Sequence, residues 1–206
     1  MALALALAQD RLTAATPDPL AESVCDWPDQ RMWLWVQDRE ALRRTGRPYR
    51  PGLPRALRHR LIHVAAASAE DALFALEEGL RCRELAFVIG EIVGNPRALS
   101  FTAHRRLSLA AQRHGLPLWL VGLGAARDLS SARMRWQAGA APSSSPRWNA
   151  AAPGAPRWRA ELLRARRHPP GEWVLHEDEG RLASIPFVSS GGEELLSIHA
   201  RSAAPA

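Results

Sequence analysis

Apolar and polar positions along the chain change rhythm several times, and the order of these changes predicts the elements. Residues 2–12 are dominated by Ala and Leu and predict a helix. Pro17, Pro19 and Pro28 then interrupt regular structure. Met32-Trp33-Leu34-Trp35-Val36 is a short apolar run that ends at Gln37-Asp38, the pattern of a buried strand. Pro48, Pro51, Gly52 and Pro54 predict a loop over 46–54. Leu61–Val64 predicts a second strand. Ser68 is placed to cap a helix over 69–81, with Glu70 and Asp71 in its first turn and Leu73, Leu76 and Leu80 on one face. Leu85–Gly90 is continuously apolar and predicts a strand buried on both faces. Thr102 is placed to cap a helix over 103–113 that stops at Gly115. Pro117–Val121 predicts another buried strand. Strands alternating with helices over short connections predict a mostly parallel α/β sheet with helices on both faces.

After residue 130 the rhythm changes. Ala132–Gln137 alternates like a strand with one wet face. Residues 139–156, rich in Ala, Pro, Ser and Gly, predict a mobile loop. Arg157–Arg164 and Trp173–His176, joined through Pro169-Pro170-Gly171, predict an antiparallel hairpin, and Arg181–Val188 one strand more. The expected organisation is a lead-in over 1–28, one domain over 29–188 and a weakly specified tail over 189–206.

Charge sharpens this picture. The 206 residues carry a formal +6, and all 27 basic residues are Arg. Without Lys there is no Schiff-base lysine, no lysine base and no phosphate-loop lysine. Counted in fifties, Arg and acids balance except over 101–150, where seven Arg face Asp128 alone. Within and beyond that stretch Arg135-Trp136, Arg147-Trp148 and Arg157-Trp158-Arg159 interleave guanidinium forks with stacking faces, a combination that suits nucleic-acid or protein contacts. Plain alternation, with Trp inward and Arg outward, accounts equally for Trp136 and Trp158. Trp148 falls in the predicted loop and is the better contact candidate. The partner- or DNA-binding candidates are therefore Arg133, Arg135, Arg147, Trp148, Arg157 and Arg159.

Other chemistry is sparse. Cys25 and Cys82 make no zinc framework and are expected to be reduced. His59, His63, His104 and His114 lack partners at ligand spacing, and His63 is expected to pack in its strand. No metal and no cofactor is expected. Gly122-Leu123-Gly124 opens like a dinucleotide loop, but Arg127 takes the third small position and the segment reads as a turn. No apolar run approaches the ~20 residues of a membrane span. Met1–Ala8 lacks a basic leader, so a cytoplasmic protein is expected.

The segments from Met32 to His176 together resemble the ImuA family, RecA-like accessory proteins of bacterial translesion synthesis. The likeness is carried by Met32–Val36, Arg60–Val64, Asp71–Cys82, Leu85–Glu91, Thr102–Ala111, Arg135-Trp136, Pro156–Arg164 and Gly171–Leu175. It implies a shortened RecA-like core with a C-terminal antiparallel hairpin, and Gly90-Glu91 at a degenerate Walker B-like position. The chain starts where a phosphate loop would just have ended, so a core short of one strand and that loop is expected. Glu91 then serves as a residual ligand or partner contact, or pairs with an arginine such as Arg105 or Arg106. The implied role is non-catalytic: a scaffold in SOS mutagenesis, near the nucleoid when active. Its implied partners are a Y-family polymerase-like subunit, an error-prone C-family polymerase and DNA. The same core also fits a SulA-like division inhibitor or a degenerate ATP-binding recombination protein, and a shortened gene product that folds poorly is a third reading.

Overall fold

The computed structural model describes residues 3–8, 30–126, 130–143, 145–146, 148–149, 151–178 and 181–187. The chain divides into two compact units, residues 1–132 and 133–206.

The first unit is a four-stranded parallel sheet. A helical turn and a half over 3–8 (α1) precedes β1 (Met32–Gln37), α2 (Arg39–Thr45), a 3-10 turn (Arg50–Gly52) and α3 (Arg55–Arg58). Next come β2 (Leu61–Ala65), α4 (Ala69–Arg81), β3 (Leu85–Val93), α5 (Phe101–His114) and β4 (Leu118–Leu123). The strand order is β2-β1-β3-β4, all parallel. The order reverses between β1 and β3, and open α/β sheets bind ligands beyond the carboxyl ends of their strands at such a point.

The helices follow from their caps and spacing. Ser68 Oγ accepts from Asp71 N at 3.1 Å and starts α4, whose Leu73, Leu76 and Leu80 are buried. The cap of α5 is Ser100, not Thr102: Ser100 is extended, and its Oγ accepts from Ala103 N at 3.3 Å. Thr102 is already inside the first turn. Gly115 ends α5 in the left-handed conformation, φ 65°. The short helices α2 and α3 carry no strong apolar period. Asp38 caps α2, with Oδ1 2.7 Å from Ala41 N, and α3 turns after Pro54 to bury Leu57.

Two apolar layers cover the sheet. On one face Leu34, Val36, Val88 and Ile92 pack against α4 and α5. On the other, Trp33, Trp35, Phe87 and Ile89 pack with Ala4, Leu5 and Ala8 of α1 and with Leu53 and Leu57. Strand β3 switches phase once. Met32 lies opposite Leu85, but Leu34 lies opposite Val88, so β3 bulges by one residue. Ala86 and Phe87 therefore both face the tryptophan layer. β4 is only half-buried, because it borders the sheet instead of lying inside it.

The second unit is a four-stranded antiparallel sheet in the order β5-β6-β7-β8. Its strands are β5 (Met134–Ala140), β6 (Arg157–Ala165), β7 (Gly171–Asp178) and β8 (Arg181–Pro186). The expected hairpin is the β6–β7 pair, flanked by one more strand on each side. Trp136, Trp158, Ala160, Leu162, Trp173 and Leu175 share one face, by alternation and register. Trp136 meets Trp173 edge-on at 5.8 Å between centroids.

Candidate functional site

Three polar side chains are buried at the carboxyl end of β1 and β3: Gln37, Asp38 and Glu91. Register puts Gln37 opposite Glu91 and Trp35 opposite His63, so these four groups face the tryptophan layer together. Glu91 Oε2 accepts from Gln37 Nε2 at 2.9 Å and from Trp35 Nε1 at 3.2 Å. Gln37 Nε2 also reaches Thr45 Oγ1 at 3.0 Å and Gly46 O at 3.2 Å. Its Oε1 lies 2.8 Å from His63 Nε2. An amide with its nitrogen toward Glu91 turns its oxygen toward His63, so Nε2 of His63 holds the proton and donates. Asp38 Oδ2 accepts from Val93 N at 3.4 Å, which ties β1 to the end of β3.

Glu91 is fully buried, and its Oε1 has no hydrogen-bond partner among the described residues. Its partners are an indole and an amide. The expected alternative of an arginine pair is corrected: Arg106 binds Glu77 on α4 instead. A metal-bound nucleotide needs reachable oxygen ligands and a phosphate cradle. A carboxylate sealed beneath Trp35 and Gln37 offers neither, and among the described residues no group of three His, Cys, Asp or Glu is arranged for a metal. Gly90 has a packing reason: a Cβ there would sit 2.8 Å from Leu76 Cδ1 and 3.0 Å from Leu120 Cδ1.

Burial first, then the Arg47 and Arg50 charges, push the pKa of His63 below its ordinary value of 6.5. The unfolded chain therefore binds this proton more readily than the folded one. The contribution to stability is complete above pH 6.5 and is lost as pH falls from there through the lowered folded pKa. The melting temperature is expected to drop across that window, and His63→Gln is expected to flatten the drop; an unchanged slope in the variant would refute the assignment.

The second unit holds the Arg–Trp candidates, and the structure separates them. Arg133 and Arg135 lie at the start of β5, where Arg135 faces Arg164. Arg157 and Arg159 lie at the other end of that pairing, where Arg159 faces Gly139. Four residues of strand put these ends roughly 13 Å apart. Arg159 is exposed, pairs with Glu172 and lies 4.3 Å over the Phe187 ring. Trp148 is 80% exposed, and Arg147 lies outside the described residues. Trp158 is half-buried and Arg159 exposed, so simple alternation governs β6.

Sequence reading placed Gln37 at the end of an apolar run but not in a network, because its partners lie up to 54 residues away. The one local signal was a glutamine and an aspartate closing a strand otherwise fit for full burial.

No family model matches the chain. Two curated relatives do: protein ImuA of Caulobacter vibrioides strain NA1000 / CB15N and protein ImuA of strain ATCC 19089 / CIP 103742 / CB 15. Each is 34% identical over 146 residues, covering 66% of this chain and 57% of the relative. The chain thus spans little more than half the length of these relatives. Its parallel sheet, helices and separate antiparallel sheet agree with the architecture that the segment order implied. On that identity over two thirds of its residues, the chain belongs to the ImuA family.

Proposed function

We propose that the protein is an accessory factor of the DNA-damage response that supports translesion synthesis by binding, not by catalysis. Family membership carries this reading. The buried setting of Glu91 supports it, since a carboxylate held by Trp35 and Gln37 serves the core.

The second unit offers the docking chemistry. Its sheet presents Trp136, 38% exposed, and Met134, 51% exposed, and the following loop carries Trp148. Exposed Trp with neighbouring Arg is the composition of interface anchors. The partner is a polymerase-like subunit, whose apolar pockets would take the aromatic anchors, with Arg133 and Arg135 next to Trp136 in the chain at their rim.

Among the described residues no helix is long and apolar enough to cross a membrane. Action beside DNA in the cytoplasm accords with this role.

Co-purification with the polymerase-like protein encoded near its gene tests the proposal. Trp148→Ala is expected to weaken that complex by more than tenfold, in line with a loss of about 2 kcal/mol at an interface anchor. Its melting temperature should match the parent, because the side chain has left water only slightly. A folded protein that captures no such partner would overturn the docking role.

A further inference from the structure

The most basic stretch of the described chain lies in the first unit, not the second. Residues 39–60, which link β1 to β2, hold eight Arg and one acid, Glu40. Arg43 and Arg44 take Glu40, at 3.7 and 3.1 Å. Arg39, Arg47, Arg50 and Arg55 are exposed, and among the described residues none of them pairs with a carboxylate.

This stretch is held in shape. Leu53 and Leu57 are buried in the tryptophan layer, and Trp33 Nε1 donates to Leu57 O at 2.9 Å. Arg50 Nη2 donates to Leu61 O at 3.2 Å, and Arg58 Nη2 to Leu53 O at 3.2 Å. Pro48, Pro51 and Pro54 restrict the remaining backbone. The ring of Tyr49 is 74% exposed and seated against Gly52, where a Cβ would meet its Cδ1 at 3.0 Å. Arg47 and Arg50 both act on His63, so their charges converge beside β2. An exposed aromatic ring amid guanidinium groups without carboxylate partners, on a backbone held by these contacts, is the chemistry that recognises single strands: phosphates bind Arg and an unstacked base lies on the ring.

We propose that residues 39–60 form a binding face for single-stranded nucleic acid, with Arg47, Arg50 and Arg55 on backbone phosphates and Tyr49 stacked on a base. This face belongs to a different unit from the docking role above, and it does not depend on that role. The competing explanation is edge protection, since charged side chains along an edge strand such as β2 discourage strand pairing.

Fluorescence anisotropy of a labelled oligothymidylate, titrated with the full chain at several salt concentrations, separates the two. The double variant Arg47→Gln/Arg55→Gln leaves the Arg50 and Arg58 hydrogen bonds intact. It is expected to lower the slope of log affinity against log salt by about 1.4, a loss of roughly 25-fold near 0.1 M salt. Tyr49→Ala is expected to weaken binding by about tenfold with the slope unchanged, because stacking displaces no counterions. Arg133→Gln/Arg135→Gln should bind as the parent does. The proposal is overturned if the parent fails to bind, if the double variant keeps affinity and slope, or if duplex competes as well as single strand. Both Arg47→Gln/Arg55→Gln and Tyr49→Ala should still capture the polymerase-like partner, and Trp148→Ala should still bind the oligonucleotide, so either role can fail alone.

Discussion

Phe87→Ala is expected to remove about 3–5 kcal/mol of stability, the cost of emptying a fully buried aromatic site. Phe87 is 1% exposed. Its ring stacks on Trp33 at 5.1 Å and meets Trp119 edge-on at 5.8 Å. Trp33 in turn stacks on Trp35 at 6.1 Å, so the ring sits within a run of four aromatics across three strands. Each such contact adds about 0.5–1.5 kcal/mol beyond area burial. The hole cannot easily close. Trp33 is tethered to Leu57 O, and Ile89 and Ala86 are fixed by their strand. A persistent cavity places the loss toward the upper end of the range. Since domains are stable by about 5–15 kcal/mol, a third or more of the total is at stake. Urea unfolding followed by tryptophan fluorescence should show a lower midpoint at unchanged slope. A loss under about 1 kcal/mol would mean that the aromatic stack is not what holds this layer.

The second large effect is an asymmetry inside the buried network. Gln37→Leu is expected to cost about 2–3 kcal/mol, because it takes one of two donors from a buried carboxylate and leaves Gly46 O and His63 Nε2 to find other partners. Glu91→Leu is expected to fall within about 1 kcal/mol of the parent. It strands Trp35 Nε1, but it also removes a buried carboxyl group whose second oxygen is unpartnered. The order of the two losses is the test. If Glu91→Leu is the costlier change, Oε1 makes an interaction in solution that holds the network together.

What could be read from the sequence depended on how local its cause was. α4 is legible because its cap, first-turn acids and leucine stripe all lie within 13 residues. β3 is legible because burial on both faces leaves an unbroken apolar run. α2 and α3 carry little sequence signal: both are short and Arg-rich, α2 rests on its Asp38 cap, and α3 is held by burial of Leu53 and Leu57 in the tryptophan layer. The α5 cap is at Ser100, two residues before Thr102, because both residue types cap helices and backbone geometry chooses between them. The Arg–Trp pairs were visible, but their separation along β5 and β6 was set by register, which no single strand reveals. The Arg cluster over 39–60 does not stand out in charge counts by fifty residues, which divide it between two balanced blocks.

The extra residue in β3 has an evolutionary consequence. Side chains on a strand alternate, so losing one codon normally turns every later residue to the opposite layer. At Ala86 the bulge already holds a spare position on the stretch of β3 that borders β1 alone. Loss of that codon would turn an irregular strand into a regular one, with Ile89 and Glu91 still beside Trp35 and Gln37. The same loss at Ile89 would drive Glu91 into the leucines beneath α4. Length variation in this family should therefore be tolerated at the bulge and purged just after it.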